Sequence, residues 1–148
     1  MAANFISNLP PAAKIWAAEA LAGIIVSDGV VTGEELALLR ESIAFLDDIE
    51  QVGRIVEKIK NKERVTLEIL RCERKMAANI LMSLAMAAMT DDKISPPEVE
   101  YFVYVAGKLG FDMQFAHRVI RWGQDFIKLN KEKKTLVTIG SSANAMYQ

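Results

Sequence analysis

Apolar residues recur at helical spacing along most of the chain. Ile15, Trp16, Ala20, Gly23 and Ile24 fall on one side of a helix of about 3.6 residues per turn. Later runs of the same kind are rich in Ala, Leu, Met, Glu and Lys, which are strong helix formers. The pattern predicts helices over residues 12–27, 33–46, 47–60, 71–89, 96–109 and 113–130.

Residues typical of helix ends lie between these runs. Thr32, Ser95 and Asp112 each stand where a helix N-cap is expected, and Gly110 stands at the expected C-cap position of the preceding helix. The sequence therefore predicts an all-α fold, a single-domain helical bundle of about six to seven helices over residues 12–130.

Two segments do not follow the helical pattern. Residues 65–70 contain β-branched side chains and fit either a short helix or a strand-like turn. Residues 131–148 gain Lys, Ser and Asn and lose the apolar period. We expect them to form a loosely ordered polar C-terminal tail, with residues 135–139 as a candidate extended piece.

One segment of the chain occurs twice. Residues 27–36 can be laid over residues 90–99 with a constant separation of 63 positions. Each copy follows an apolar helix and precedes an amphipathic one, so the bundle is predicted to contain two pseudo-symmetric helix-loop-helix halves. The acidic positions that coincide are Asp28 with Asp91 and Glu35 with Glu98.

The repeated segment has a simple structural interpretation as a helix start. Thr32 with Glu35, and Ser95 with Glu98, have the spacing of a capping box. In that motif the hydroxyl accepts from a backbone N–H three residues on, and the carboxylate accepts from the N–H of the cap residue. On this interpretation the acidic residues stabilise helices and bind nothing.

The alternative interpretation is a divalent cation site. The repeat matches the second half of a calcium loop, but the positions of the first two loop ligands are apolar in both copies. Calcium takes about 6–8 oxygen ligands, so one loop does not suffice and two loops together form a composite site. Its predicted ligands are Asp28, Glu35, Asp91 and Glu98.

Composition narrows the chemistry further. The chain has one Cys (Cys72) and one His (His117), which excludes intramolecular disulfides and sites built from several Cys or His ligands. A metal here has to be held by oxygen, which favours Ca2+ or another hard divalent cation. The net charge of −1 gives no basis for nucleic-acid binding.

Other classes of protein are also disfavoured by the sequence. The apolar runs are shorter than the roughly 20 residues of a membrane-spanning helix, and the N-terminus does not resemble a secretory signal. Phosphate-binding glycine loops and nucleophile motifs are absent, so we do not expect an enzyme. A cytoplasmic location is expected.

The duplicated motif, an aliphatic residue followed by Asp-Gly-x-Val-x-x-x-Glu, resembles the tellurite-resistance TerB-like family and the related N-terminal domain of the co-chaperone DjlA. The residues that carry the resemblance are 26–35 and 89–98. The resemblance implies two pseudo-symmetric helical halves and divalent cation binding by the acidic residues. It also implies a metal-stress role, protein partners and peripheral association with the inner membrane face.

Together these observations predict a cytoplasmic TerB-like module that binds a divalent cation weakly in a tellurite-resistance or stress-response role. The alternative is a metal-free protein–protein interaction module whose acidic loops only cap helices.

Overall fold

The computed structural model describes residues 6–29, 31–44, 46, 48–88 and 94–147. All regular secondary structure in these ranges is helical, which confirms the all-α prediction and gives six α-helices. They are α1 (Pro11–Val26), α2 (Gly33–Ile43), α3 (Ile49–Lys60), α4 (Arg74–Ala88), α5 (Pro96–Lys108) and α6 (Met113–Ser142).

Helix α1 lies at the centre of the bundle and packs against α2, α3, α4 and α5, while α6 packs against α4 and α5. Every residue of α1 from Ala20 to Val26 is buried. Alanine and glycine provide several of these positions, and small side chains let neighbouring helices approach closely. The core is continuous across all six helices.

Helices α1 and α5 approach each other closely in the core. Tyr101 of α5 is buried against Gly23 of α1, and a β-carbon on Gly23 would overlap the phenol ring. The Tyr101 hydroxyl donates a hydrogen bond of 2.7 Å to the carbonyl oxygen of Val65. Burial raises the pKa of Tyr101 well above its ordinary value, so its hydroxyl stays a donor at physiological pH.

The connection between α3 and α4, residues 61–73, is held by side chains of α1 and α5. The indole N–H of Trp16 donates to the Glu68 carbonyl at 2.7 Å, and the Leu67 N–H donates to the Tyr104 hydroxyl at 2.9 Å. Residues 65–70 form neither a helix nor a sheet strand. The short helix that the sequence allowed there does not form.

Helix α6 is longer than the sequence predicted. It continues to Ser142, so both the predicted end at residue 130 and the predicted extended piece at residues 135–139 are wrong. The hydroxyls of Thr135, Thr138 and Ser141 donate to carbonyls four residues earlier, at 2.8–3.1 Å. These bonds satisfy the polar side chains within the helix, and the segment contains no proline to end it.

Among the residues that the structure describes, no helix, including α6, is both long enough and apolar enough to span a membrane.

Candidate functional site

In the first copy of the repeated loop, a tight turn follows the end of α1. The Ser27 hydroxyl donates to the Ile24 carbonyl at 2.6 Å, and the Gly29 N–H donates to the Val26 carbonyl at 3.0 Å. Gly29 has a φ of +77°, a left-handed conformation that glycine adopts at little cost. Asp28, within this turn, is exposed at the surface.

Both predicted capping boxes are confirmed. The Glu35 N–H donates to the Thr32 hydroxyl at 3.2 Å, and the Thr32 N–H donates back to Glu35 Oε1 at 3.0 Å. At the second loop the Glu98 N–H donates to the Ser95 hydroxyl at 3.3 Å, and the Ser95 N–H donates to Glu98 Oε1 at 3.3 Å. Each glutamate therefore turns back to its own cap residue.

The two loops lie close enough to influence each other electrostatically. Glu98 is half-buried, and this burial raises the pKa of its carboxyl, while hydrogen bonds from Ser95 oppose the rise. The negative charges of Asp28 and Glu35, from the other loop, raise the pKa of Glu98 further. Asp28, Glu35 and Glu98, three of the four predicted ligands, therefore interact electrostatically, and we call these three residues the acidic face.

The predicted cation site is not complete on this face. Asp91, the fourth predicted ligand, lies outside the described residues. Among the residues that are described, no three Asp, Glu, His or Cys side chains are grouped as a metal ion requires. The ligand set Asp28, Glu35, Asp91 and Glu98 therefore stays a prediction, while the capping role of the two glutamates is confirmed.

A second surface was missed by the sequence analysis. Beyond Ile127, every described residue of α6 and of the segment that follows it is exposed. We call residues 128–142 of this helix the C-terminal arm; at about 1.5 Å per residue it is about 22 Å long. Its exposed apolar side chains, each between 59% and 64% exposed, are Leu129, Leu136, Val137 and Ile139.

The arm is also basic. Helix α6 has six Lys and Arg residues against Asp125 and Glu132, whereas the whole chain has 18 Lys and Arg against 19 Asp and Glu. The rest of the chain is therefore acidic, and the near-zero net charge conceals two regions of opposite sign. The basic residues within the arm are Lys128, Lys131, Lys133 and Lys134.

The sequence contains a pattern that identifies this surface. Trp122, Leu129 and Leu136 are seven residues apart, which is the repeat of a coiled-coil seam. The pattern is visible only if the helix is followed past residue 130.

Comparison of the chain with protein-family models, curated proteins and solved structures gave no match. The resemblance to the TerB-like family therefore rests on the repeated motif.

Proposed function

We propose that this chain is a cytoplasmic protein-interaction module, not an enzyme, and that its C-terminal arm docks on an acidic surface of a protein partner. The observation that carries the proposal is the composition of the arm, which is fully exposed and combines four lysines with four large apolar residues. The arm lies beyond the core that the other helices share.

Helix energetics support a binding role for the arm. A helical segment of about 15 residues is only marginally stable in water by itself, and most helices depend on packing of an apolar face. Exposed apolar side chains such as Leu129 and Leu136 become stabilising when a partner covers them. The lysines favour an acidic partner and repel a basic one, so charge selects between partners.

The electrostatic part of this proposal predicts binding of an acidic peptide. Unstructured poly-glutamate should shift backbone amide resonances of residues 128–142 in NMR spectra of the full chain, whereas poly-lysine should not. The shifts should weaken as salt is added, because exposed charges are screened over about 8 Å at physiological ionic strength. Lys128→Glu combined with Lys134→Glu should weaken binding about tenfold.

The matched control changes the same amount of charge elsewhere. Lys60→Glu combined with Lys75→Glu replaces two exposed helical lysines on α3 and α4, and binding should stay close to that of the unmodified chain. Equal shifts with poly-glutamate and poly-lysine, or shifts spread over the whole chain, would show that the arm is not an acidic-partner site.

A second candidate function is weak binding of Ca2+ or another divalent cation at the acidic face, in the stress-response role that the TerB-like resemblance implies. Burial is the main cause of the raised pKa of Glu98, but the negative charges of Asp28 and Glu35 add to it, and a bound cation would offset that smaller, repulsive part. A carboxylate has about four lone-pair positions, so a capping glutamate keeps acceptor capacity for an ion. Asp91 is the predicted fourth ligand.

Titration with CaCl2 tests this candidate. We expect amide shifts confined to the two repeated loops with a dissociation constant on the order of 1 mM, and loss of the shifts in Asp28→Asn. Glu34→Gln, which removes a charge from an exposed neighbour on α2, is the control and should retain them. Binding should weaken as pH falls through the raised pKa of Glu98, because protons compete for the carboxylate. An unchanged spectrum at several times that concentration would rule the site out.

A further inference from the structure

The exposed face of α6 has the geometry of a coiled-coil seam. Six positions follow one another at alternating spacings of four and three residues, which is the 3.5-residue average of two helices that pack side by side. We call them the seam; Leu129 and Leu136 within it are 64% and 59% exposed. The seam consists of Trp122, Phe126, Leu129, Lys133, Leu136 and Gly140.

We propose that the seam binds an amphipathic helix of another protein, and that this helix places a carboxylate opposite Lys133. This inference rests on the proposed interaction function and specifies which kind of partner helix the arm binds. It follows from the position of one charge, since Lys133 stands between Leu129 and Leu136 in the middle of an otherwise apolar seam.

The body of the protein fixes one end of the seam. Trp122 and Phe126 are stacked, with ring centroids 5.5 Å apart and an angle of 24° between the rings. Gly123, on the adjoining face of the same helix, is buried in the core. The first turns of the seam are therefore held by the bundle, and the later turns extend the same surface along the arm.

Lys133 determines what a partner has to supply. A lysine enclosed by apolar side chains loses hydration, and its burial is unfavourable unless an opposite charge accepts its hydrogen bonds. A single charged residue at a seam position also selects the register and the partner helix. An aspartate or glutamate flanked by leucine-like residues meets both requirements.

The charges of the arm disfavour two other occupants. A second copy of this chain would bring two basic arms together, each with four lysines and one glutamate, and the arms would repel. A helix that lies flat on an anionic membrane keeps its basic residues on one polar face. At 3.6 residues per turn, Lys128, Lys131 and Lys134 share one face of α6, but Lys133 lies on the opposite, apolar side, where a membrane would bury its charge.

The test uses two designed peptides of three heptads that differ in one residue. Both peptides carry leucines at the positions that face the seam and glutamates at the positions that face solvent. At the central facing position, which is placed opposite Lys133, one peptide has Glu and the other has Lys. The full chain should bind the Glu peptide about tenfold tighter than the Lys peptide, as measured by fluorescence anisotropy of labelled peptide. In Lys133→Glu this preference should reverse.

Two control variants separate register from general charge. Lys60→Glu, an exposed change on α3, should leave the preference intact. Lys133→Met should weaken the preference for Glu over Lys and increase affinity for a third peptide with Leu at the central position. Since Lys133 is exposed, these substitutions should leave the circular dichroism spectrum unchanged.

The result that overturns the seam proposal is a Glu peptide that binds no tighter than a scrambled peptide of the same composition. If poly-glutamate still binds the arm in that case, the wider proposal of an acidic partner stands; if it does not, both fail. Binding to phosphatidylserine vesicles without discrimination between the peptides would assign the arm to a membrane. Self-association in sedimentation that Leu129→Ala abolishes would assign it to a second copy.

Discussion

Replacing Gly23 by alanine should destabilise the fold by about 3 kcal/mol. The added β-carbon would overlap the ring of Tyr101, which is buried between α1 and α5. The ring can move only by displacing its neighbours, and its hydrogen bond to the Val65 carbonyl would be lost. Thermal and urea unfolding followed by circular dichroism would measure the effect, with a midpoint lower by roughly 10 °C.

Gly53→Ala is the matched control for that substitution. Gly53 lies within α3, and a β-carbon there would meet open space. Since alanine has the higher helix propensity, this change should stabilise the protein by up to about 1 kcal/mol. If both substitutions had the same sign and size, close packing of α1 against α5 would not be the source of the effect at Gly23.

The starts of α2, α5 and α6 were predictable because their causes are local, whereas α3 and α4 begin two and three residues later than predicted. Thr32, Ser95 and Asp112 each accept a hydrogen bond from a backbone N–H three residues later, and the helices begin directly after them. Such caps depend on a few neighbouring residues, and all of those residues are visible in the sequence. The predicted starts of α2, α5 and α6 are therefore confirmed to the residue.

The end of α6 was not predictable in the same way. No proline or helix-ending glycine motif follows residue 130, and the loss of apolar period suggested a loose tail. In the structure the stripe of buried apolar residues ends because the arm leaves the bundle, while the helix itself continues with its apolar residues exposed. A change in hydrophobic pattern marks the end of burial, which need not coincide with the end of a helix.

Two features of the candidate site, the pKa of Glu98 and the metal ligand set, depend on contacts between residues that are distant in sequence. The capping role of Glu98 could be predicted from Ser95, three residues away, but the influence of Asp28 and Glu35 on its pKa depends on how α1, α2 and α5 pack. The metal ligand set needs that same packing and stays a prediction.

The second large effect is expected at Trp16. This side chain is 5% exposed, and its indole N–H donates to the Glu68 carbonyl, 52 residues away in sequence. Trp16→Ala should destabilise the fold by about 4 kcal/mol, because it leaves a cavity in the core and removes the donor. Urea unfolding would measure the loss.

Two further variants identify how Trp16 acts. Trp16→Phe keeps most of the apolar volume and removes the N–H, so it should cost about 1–2 kcal/mol and should preferentially increase hydrogen exchange in residues 61–73. Trp122→Ala truncates a tryptophan that is 39% exposed and should cost much less than Trp16→Ala.

If Trp16→Phe left exchange in residues 61–73 unchanged, the bond to Glu68 would not hold that connection, and packing alone would account for the effect of Trp16→Ala. If Trp16→Phe raised hydrogen exchange in residues 61–73 while the helices stayed folded, the Trp16 hydrogen bond would be shown to hold this connection from the side of α1. Tyr101 and Tyr104 bind the same connection from α5.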